Sequence, residues 1–204
     1  MADYKFPTEV VELPSKGYFY FEGHPLSTGK VEVKYMTAKE EDILTSQNLI
    51  QQGTVIDKLL EALIVDKSIN ITDMLVGDKN AVMVAARILG YGKEYSFNYD
   101  EEEHSVDLSV LEPIKIDFSK FTKGINELSY KLPVSKRELV FKLLTGKDED
   151  EITAEIKARE KVNKNQSFEL TTRLKQMIVS IDGKSEKSFI NNFVDNEFLS
   201  RDSL

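Results

Sequence analysis

The sequence predicts an α+β protein with an N-terminal β-hairpin and helices, a β-rich middle and a helical C-terminal part. Short stretches of alternating apolar and polar residues, typical of half-buried strands, occur near the N-terminus and through the middle of the chain. Apolar residues spaced three and four apart, typical of amphipathic helices, flank that middle. Hydrophobic residues make up 41% and charged residues 30% of the 204 positions, which is a globular rather than a disordered composition.

The predicted N-terminal hairpin turns at residues 14–17, Pro-Ser-Lys-Gly. Proline presets φ for the second position of a turn, and glycine allows the left-handed conformation at its end. Residues 9–13 and 18–21 are the strands expected on either side of this turn. A further half-buried strand is expected at residues 31–35, where apolar side chains alternate with charged ones.

Three helices are expected after this strand. The first begins at Thr37, three residues before Glu40, which is the spacing of a capping box, and runs to about Gln52. This pattern assigns the acids at residues 40–42 to the helix start rather than to a catalytic pair. The second helix spans residues 54–63, where four apolar side chains recur every three or four positions.

The third helix is expected to be capped by Asp78 and to end at Gly90. Every residue from 81 to 89 is apolar except Arg87, and a helix that is apolar all round is normally buried. A buried arginine needs a carboxylate or several carbonyl oxygens as partners. We therefore interpret Arg87 as a structural clamp, with a contact to a partner or ligand as the alternative.

The middle of the chain is predicted to be mostly β-structure. A hairpin is expected over residues 95–111, followed by strands at 113–121, 128–132 and 139–143, where a short helix is the alternative for the last. The tip of the hairpin, Asp-Glu-Glu-Glu-His at 100–104, could attract a divalent cation. It lacks the alternating ligands and the glycine of a calcium-binding loop, so a solvated turn is the favoured interpretation.

The C-terminal part returns to helical patterns. A charged and exposed helix is expected over residues 148–164, with Asp148 at its cap, followed by apolar helices over 167–181 and 185–194. Residues 200–204 resemble the start of another helix, which suggests either truncation relative to a longer parent sequence or a frayed terminus. These shifts in pattern divide the chain into an N-terminal hairpin and helical region (1–92), a β-rich region (93–147) and a C-terminal helical region (148–204), with one compact unit as the alternative.

Composition and motifs exclude several classes of function. The net charge of −8 argues against a general nucleic-acid or anionic-membrane binder, because both need a positive field. There are no cysteines and only two histidines, so disulfides, thiolate chemistry and histidine-based zinc sites are not expected. The sequence contains no glycine-rich phosphate loop and no hydrolase or metalloprotease motif. We expect no enzyme activity, no cofactor, no metal, no membrane span and no small-molecule substrate.

Several short segments of the sequence resemble those of a known family. They include Glu-Leu-Pro-Ser-Lys-Gly at 12–17, the string from residue 29 to 45 that begins Gly-Lys-Val-Glu-Val-Lys-Tyr-Met, and the Gly-Asp-Lys-Asn-Ala-Val string from residue 77 to 92. In these segments the chain resembles the baseplate hub assembly protein of T-even-like contractile-tailed bacteriophages. The resemblance covers nearly the whole chain, and its first block is the most distinctive.

The resemblance implies a non-enzymatic assembly factor, chaperone-like, for the central hub of the tail baseplate. Its partners would be other hub and hub-assembly proteins, and it would act in the host cytoplasm during tail assembly. Some similar proteins carry paired cysteines suggestive of a zinc ribbon in a β segment, but this chain has none, so no metal is implied. The alternative is a permanent structural subunit of the virion baseplate, and a remote alternative is a divalent-metal enzyme that uses the acids at 40–42 and 100–103.

Two sets of residues are singled out on these grounds. Turn and loop positions are placed to meet partners. The predicted partner contacts are therefore Pro14, Ser15, Lys16, Gly17, Tyr35 and Met36, although Pro14 and Gly17 have an equally good explanation as residues that set the turn. The residues expected to be structural are Thr37, Glu40, Asp78 and Arg87.

Overall fold

The computed structural model describes residues 7–162 and 167–202. About 47% of the structure is helical and 20% is in strands, and the strands form small antiparallel sheets. The predicted α+β class is therefore confirmed. The chain divides into two compact units, Met1–Gly124 and Ile125–Leu204, called here the N-terminal and C-terminal units. This boundary lies inside the region 93–147 that the sequence pattern treats as one β-rich piece.

The N-terminal unit combines two hairpins with four α-helices among the residues described. Its elements, in chain order, are β1 (Thr8–Glu12), β2 (Lys30–Lys34), α1 (Ala38–Leu44), α2 (Gln47–Gln52), α3 (Val55–Leu63), α4 (Val76–Tyr91), β3 (Glu94–Tyr99) and β4 (Glu102–Asp107). Short 3-10 turns lie at Pro25–Thr28, Ile71–Asp73, Leu108–Val110 and Phe118–Lys120.

The N-terminal hairpin is present, but its second strand is not the one predicted. Strand β1 pairs antiparallel with β2, from Thr8 opposite Lys34 to Glu12 opposite Lys30. Residues 18–21, Tyr-Phe-Tyr-Phe, form turns instead of a strand. The Phe19 and Tyr20 side chains of this segment are buried. Their rings therefore fill the core beneath a broad loop, and the segment does not pair as a strand.

The first predicted helix is interrupted after Leu44. The hydroxyl of Thr45 donates to the carbonyl oxygen of Glu41 (3.1 Å), and Ser46 is the N-cap of the next helix, α2. Threonine and serine compete in this way with backbone hydrogen bonds and often end a helix. The second predicted helix is confirmed as α3, which buries the apolar side chains of Leu59, Leu60 and Leu63.

Helix α4 differs from the fully buried helix that its sequence predicts. Val82 and Ala86 are buried, whereas Met83 on the other side is 37% exposed. The predicted cap is also wrong, since Leu75 is the N-cap and Asp78 lies inside the first turn. One apolar face of α4 is therefore left uncovered within the described residues of this unit.

Residues 113–121 do not form the predicted strand. They contain the 3-10 turn Phe118–Lys120. Asp117 caps this turn, because its carboxylate accepts from the Ser119 N–H (3.2 Å). Ile114 is 91% exposed. Alternation alone predicted a strand here, but no neighbouring strand in the described residues pairs with it.

The C-terminal unit builds a three-stranded antiparallel sheet with helices around it. Its elements are β5 (Leu128–Lys131), β6 (Glu138–Phe141), α5 (Gly146–Val162), α6 (Glu169–Met177), β7 (Ile178–Ile181), α7 (Lys187–Asn196) and a 3-10 turn at Ser200–Asp202. The sheet order is β5-β6-β7. Its core is the cluster Leu132, Leu139, Ile178, Ile181, Ile190, Phe193 and Val194.

Two predictions in the C-terminal unit need correction. The helix expected over 167–181 ends at Met177, and the next four residues, Ile-Val-Ser-Ile, form β7 against β6. Three of these four side chains, Ile178, Val179 and Ile181, are β-branched and suit a pleated, half-buried surface once an unpaired strand edge is available. The long charged helix begins earlier than predicted, and Asp148 is not its cap: its carboxylate accepts from the N–H and the hydroxyl of Thr145 (2.8 Å each).

Residues 200–202 form a short 3-10 turn that the Asp202 side chain anchors. Buried Asp202 accepts from the backbone N–H groups of Val134 (2.7 Å) and Ser135 (3.2 Å), which fixes the β5–β6 turn. The predicted further helix at 200–204 is therefore a single 3-10 turn over its first three residues. Its last two residues lie outside the described part of the chain.

Candidate functional site

The described residues contain neither a cluster of metal ligands nor a membrane-spanning helix. Across residues 7–162 and 167–202, no group of three or more histidine, aspartate or glutamate side chains is placed to hold a metal ion. The same residues contain no helix with the length and apolar character needed to cross a lipid bilayer. The N-terminal unit also carries an exposed hairpin and a neighbouring apolar groove.

The hairpin formed by β3 and β4, residues 94–107, is called the arm. Its two-residue turn places Asp100 and Glu101 at positive φ, 53° and 65°. This is the backbone that tight hairpins require, although glycine and asparagine adopt it at lower cost. Every residue of β3 is exposed, so the arm is a two-stranded sheet with little packing of its own.

One face of the arm is aromatic. Tyr95 lies opposite Val106 and Phe97 lies opposite His104, so these side chains share a face, as does Tyr99. The Tyr95 and Phe97 rings stack with centroids 5.9 Å apart, and Phe97 stacks on His104 at 5.7 Å. These cross-strand and same-face contacts help to hold the two strands of the hairpin together. The rings remain accessible, with exposed fractions of 43% for Tyr95, 41% for Phe97 and 71% for Tyr99.

The other face and the tip of the arm are acidic. Between Lys93 and Lys115 the chain has no lysine or arginine, but it carries seven acids: Glu94, Asp100, Glu101, Glu102, Glu103, Asp107 and Glu112. Only Asp107 among them forms an ion pair within the described residues, with Lys93 at 2.8 Å. The arm therefore presents aromatic rings beside uncompensated negative charge.

An apolar groove of about 330 Å³ adjoins the base of the arm. Side chains from α1, α3, α4 and β3 line it, together with the loop before α1. They include Met36, Leu44, Ile56, Met83, Tyr91 and Tyr95. Because Tyr95 belongs both to the groove and to the aromatic face, the two surfaces are continuous.

Arg87 organises the junction of groove and arm. Its guanidinium lies 4.8 Å from the ring centroid of Tyr91 and 5.6 Å from that of Tyr95, and it donates to the carbonyl oxygen of Gly92 (3.0 Å). The Tyr91 hydroxyl donates in turn to the Glu41 carboxylate (2.7 Å). Arg87 is half-buried, whereas its all-apolar helix predicted a buried side chain. In the described part of the chain it stacks on rings and donates to a carbonyl oxygen, and no carboxylate there forms an ion pair with it.

The predicted contact residues Tyr35 and Met36 lie near this groove. Met36 lines it, and Tyr35 is 36% exposed. The Met36 side chain crosses Gly90, where a Cβ would come within 1.8 Å of the Met36 methyl carbon. Glycine at position 90 therefore lets Met36 lie against α4.

The predicted contact turn at 14–17 is held from inside by Asp78. The Ser15 N–H donates to Asp78 Oδ1 (2.9 Å), and the hydroxyls of Ser15 and Tyr20 donate to Asp78 Oδ2 (2.6 and 2.7 Å). Tyr20 also accepts from the Leu75 N–H (2.9 Å), and burial followed by the nearby Asp78 charge raises the pKa of Tyr20 above its ordinary value.

The four residues of that turn differ in how far they are exposed to solvent. Ser15 and Gly17 are buried and Pro14 is half-buried, which leaves Lys16 as the exposed side chain of the turn. The Lys16 ammonium lies 5.8 Å from the ring centroid of Phe118. A partner that meets this turn would therefore meet Lys16.

The capping residues Thr37 and Glu40 form the predicted capping box. The Thr37 N–H and hydroxyl both donate to Glu40 Oε2 (3.0 and 2.6 Å), and the Lys34 ammonium donates to Oε1 (2.8 Å). Glu40 is 1% exposed. Burial alone would raise the pKa of Glu40, but these hydrogen bonds outweigh it and lower the pKa to about 2.

The pKa of Glu40 predicts a pH-dependent contribution to stability. Because the folded pKa lies below the value of about 4.3 expected in an unfolded chain, this contribution is complete above pH 5 and disappears as the pH falls towards 2. Glu40→Gln should lower the free energy of unfolding by about 2 kcal/mol at pH 7, and the deficit should shrink in acid. Urea unfolding at pH 7 and pH 3.5 measures this, with the exposed Asp42→Asn as the matched control on the same helix. A deficit equal at both pH values would contradict the assignment.

The exposed Lys16 allows a separate test of the turn as a contact. Lys16→Glu should change the melting temperature little, because exposed positions usually contribute less than about 0.5 kcal/mol. If the turn is a contact, the same change should weaken association with hub proteins, the partners that the sequence resemblance implies. The exposed Lys39→Glu makes the same charge change on α1 and serves as control. Unchanged association for Lys16→Glu would leave the turn with a structural role alone.

The sequence predicted a hairpin over residues 95–111, and β3 and β4 form it, but its rings were not singled out as contacts. Tyr91, Tyr95 and Phe97 are the most informative surface residues in the described structure, and none was among the predicted contacts. A usable signal was present: three aromatic residues alternate on one strand, and the following strand supplies acids rather than a second apolar row. A strand pair that lacks a covering layer must leave its apolar face exposed.

Comparison with protein-family models, with curated proteins and with solved structures found no match for this chain. The candidate site therefore depends on the geometry and chemistry described above.

Proposed function

We propose that this protein is a non-enzymatic assembly factor for the central hub of a phage tail baseplate, which acts by binding hub proteins in the host cytoplasm. The resemblance of residues 12–17, 29–45 and 77–92 to the T-even-like baseplate hub assembly protein supplies the identity of the process. The continuous aromatic face and apolar groove are the observation that supports a binding role.

Exposed apolar surface of this kind is unusual on a protein without partners. Single exposed apolar side chains need no explanation, but contiguous apolar patches typically mark protein–protein contacts. Tyrosine, phenylalanine, methionine and arginine are the residue types enriched at such contacts, and all four occur on the arm and groove. Among the acids named for the enzyme alternative, Glu40 is engaged by Lys34 and Thr37, and Glu41 accepts from the Tyr91 hydroxyl.

Recovery of partners from infected cells tests the proposal. Tagged protein purified during tail assembly should retain other hub proteins, and the gene should lie among late tail genes. A matched sample with Phe97→Ser, which removes an exposed ring from the arm, should retain less of them. Recovery of no hub protein by the unmodified chain would overturn the proposed function.

Mass spectrometry of mature particles beside assembly intermediates separates an assembly factor from a permanent baseplate subunit. An assembly factor is expected in the intermediates and absent from the mature particles. Stoichiometric copies in mature particles would assign the chain to the virion baseplate instead.

A further inference from the structure

At its inner end, the aromatic face of the arm already contacts one cationic side chain of the protein, that of Arg87. The Arg87 guanidinium lies over Tyr95 and Tyr91 at 5.6 and 4.8 Å. Cations at such distances are attracted by the negative faces of aromatic rings. Further out, Phe97 and Tyr99 offer the same kind of ring, and in the described part of the chain no lysine or arginine lies over them.

Negative charge surrounds these outer rings. Glu102 pairs with Tyr99 across the strands, Glu103 pairs with Asn98, and Asp100 and Glu101 form the tip between them. The nearest basic residues in sequence are Lys93 and Lys115, and Lys93 is paired with Asp107. The outer arm thus combines exposed rings with carboxylates, and a lysine or arginine can satisfy both at once.

The groove requires apolar side chains of whatever occupies it. Met36, Leu44 and Met83 line it with apolar atoms, and Tyr95 connects it directly to the outer rings. An occupant that covers both surfaces needs apolar side chains at one end and positive charge at the other. We propose that the arm and groove bind a basic segment of a partner protein, with apolar side chains in the groove and lysine or arginine against the rings and acids of the arm.

Charge distinguishes this occupant from the other ones. A second copy of the chain would bring the acidic tip of one arm against that of another, and each copy has a net charge of −8. Like charges brought together at an interface are unfavourable. Nucleic acids and anionic membranes are repelled for the same reason. A basic protein segment is the occupant whose charge complements the arm.

The inference rests on the proposed function only in requiring a protein partner, so it can be tested with defined peptides. The probes are a short peptide alternating lysine and leucine, its glutamate–leucine counterpart and a lysine–serine peptide. Binding to the full chain is measured by fluorescence anisotropy at low and high salt. The lysine–leucine peptide should bind best, and its affinity should fall as salt screens the acids.

Matched variants locate the binding. Phe97→Ser and Glu102→Lys should each weaken the lysine–leucine peptide by about tenfold. The controls Tyr130→Ser, at an exposed strand tyrosine of the C-terminal unit, and Asp150→Lys, at an exposed acid of α5, should leave its affinity unchanged. Phe97→Ser removes two ring contacts within the hairpin, so circular dichroism and melting temperature are measured for every variant. Glu102→Lys removes no ring and should leave both unchanged, so it reports on binding alone.

The outcomes separate this inference from the proposed function. Equal binding of the lysine and glutamate peptides, or equal loss in arm and control variants, overturns the inference. Dimers that dissociate on Phe97→Ser would also overturn it, because the occupant would then be a second copy. Arm-dependent peptide binding without recovery of hub proteins from cells would support the inference and overturn the hub function.

Discussion

Asp78→Ala is expected to lower the free energy of unfolding of the N-terminal unit by about 3 kcal/mol or more. Asp78 is 1% exposed and accepts three hydrogen bonds, two from Ser15 and one from Tyr20. Alanine would leave three buried donors without their acceptor, and each unsatisfied donor loses its hydration without compensation. Urea unfolding followed by circular dichroism measures the effect.

Ser15→Ala tests how much of the stability loss expected for Asp78→Ala comes from a single donor of the network. Ser15→Ala removes one of the three donors and should cost less than Asp78→Ala, about 1 kcal/mol. The double variant should cost less than the sum of the two, because residues in one hydrogen-bond network are not additive. Additive losses, or a loss for Asp78→Ala no greater than for the exposed Asp42→Asn, would show that the buried network does not hold the turn.

Gly17→Ala is the second large expected effect, a loss of about 3 kcal/mol or more. A Cβ at position 17 would lie 2.4 Å from the Ser27 carbonyl oxygen and 2.6 Å from the Gly29 nitrogen. Both atoms are backbone, so the two segments would have to separate. Gly17 also has φ of 72°, which disfavours any L side chain.

Gly23→Ala is the matched control for this variant. Gly23 has φ of 88°, but a Cβ there would meet no atom within 4 Å. Its loss should be that of the backbone conformation alone, about 1–2 kcal/mol. A Gly17→Ala loss equal to that of Gly23→Ala would mean that the close approach to Ser27 and Gly29 is relieved without cost.

Sequence patterns predicted local structure well wherever the local signal decides it. The alternation around Val31 and Val33 is strand β2, the capping spacing of Thr37 and Glu40 begins α1, and the apolar stripe of residues 56–63 faces the core on α3. In these segments the periodicity, the cap and the buried face are all consistent with one element. Such agreement leaves tertiary contacts little to change.

Patterns were misleading where pairing or burial is decided at a distance. Residues 178–181 carry helical spacing but pair with β6, and residues 113–121 alternate like a strand but have no strand beside them in the described structure. Helix α4 is apolar all round, yet one side remains open to the groove. In each case the deciding partner lies far away in sequence, or is missing from the described chain.

The sequence by itself determined the α+β class, the capped start of α1, the amphipathic α3 and the acidic, ring-bearing composition of the arm. Only the tertiary structure decided that Asp78 holds the 14–17 turn, that Ser15 and Gly17 are buried, and that the rings of the arm continue into the groove. The physical reason is the separation in sequence between the residues that decide each feature. Caps and periodicity depend on neighbours within one or two helical turns, whereas burial depends on which distant surfaces meet.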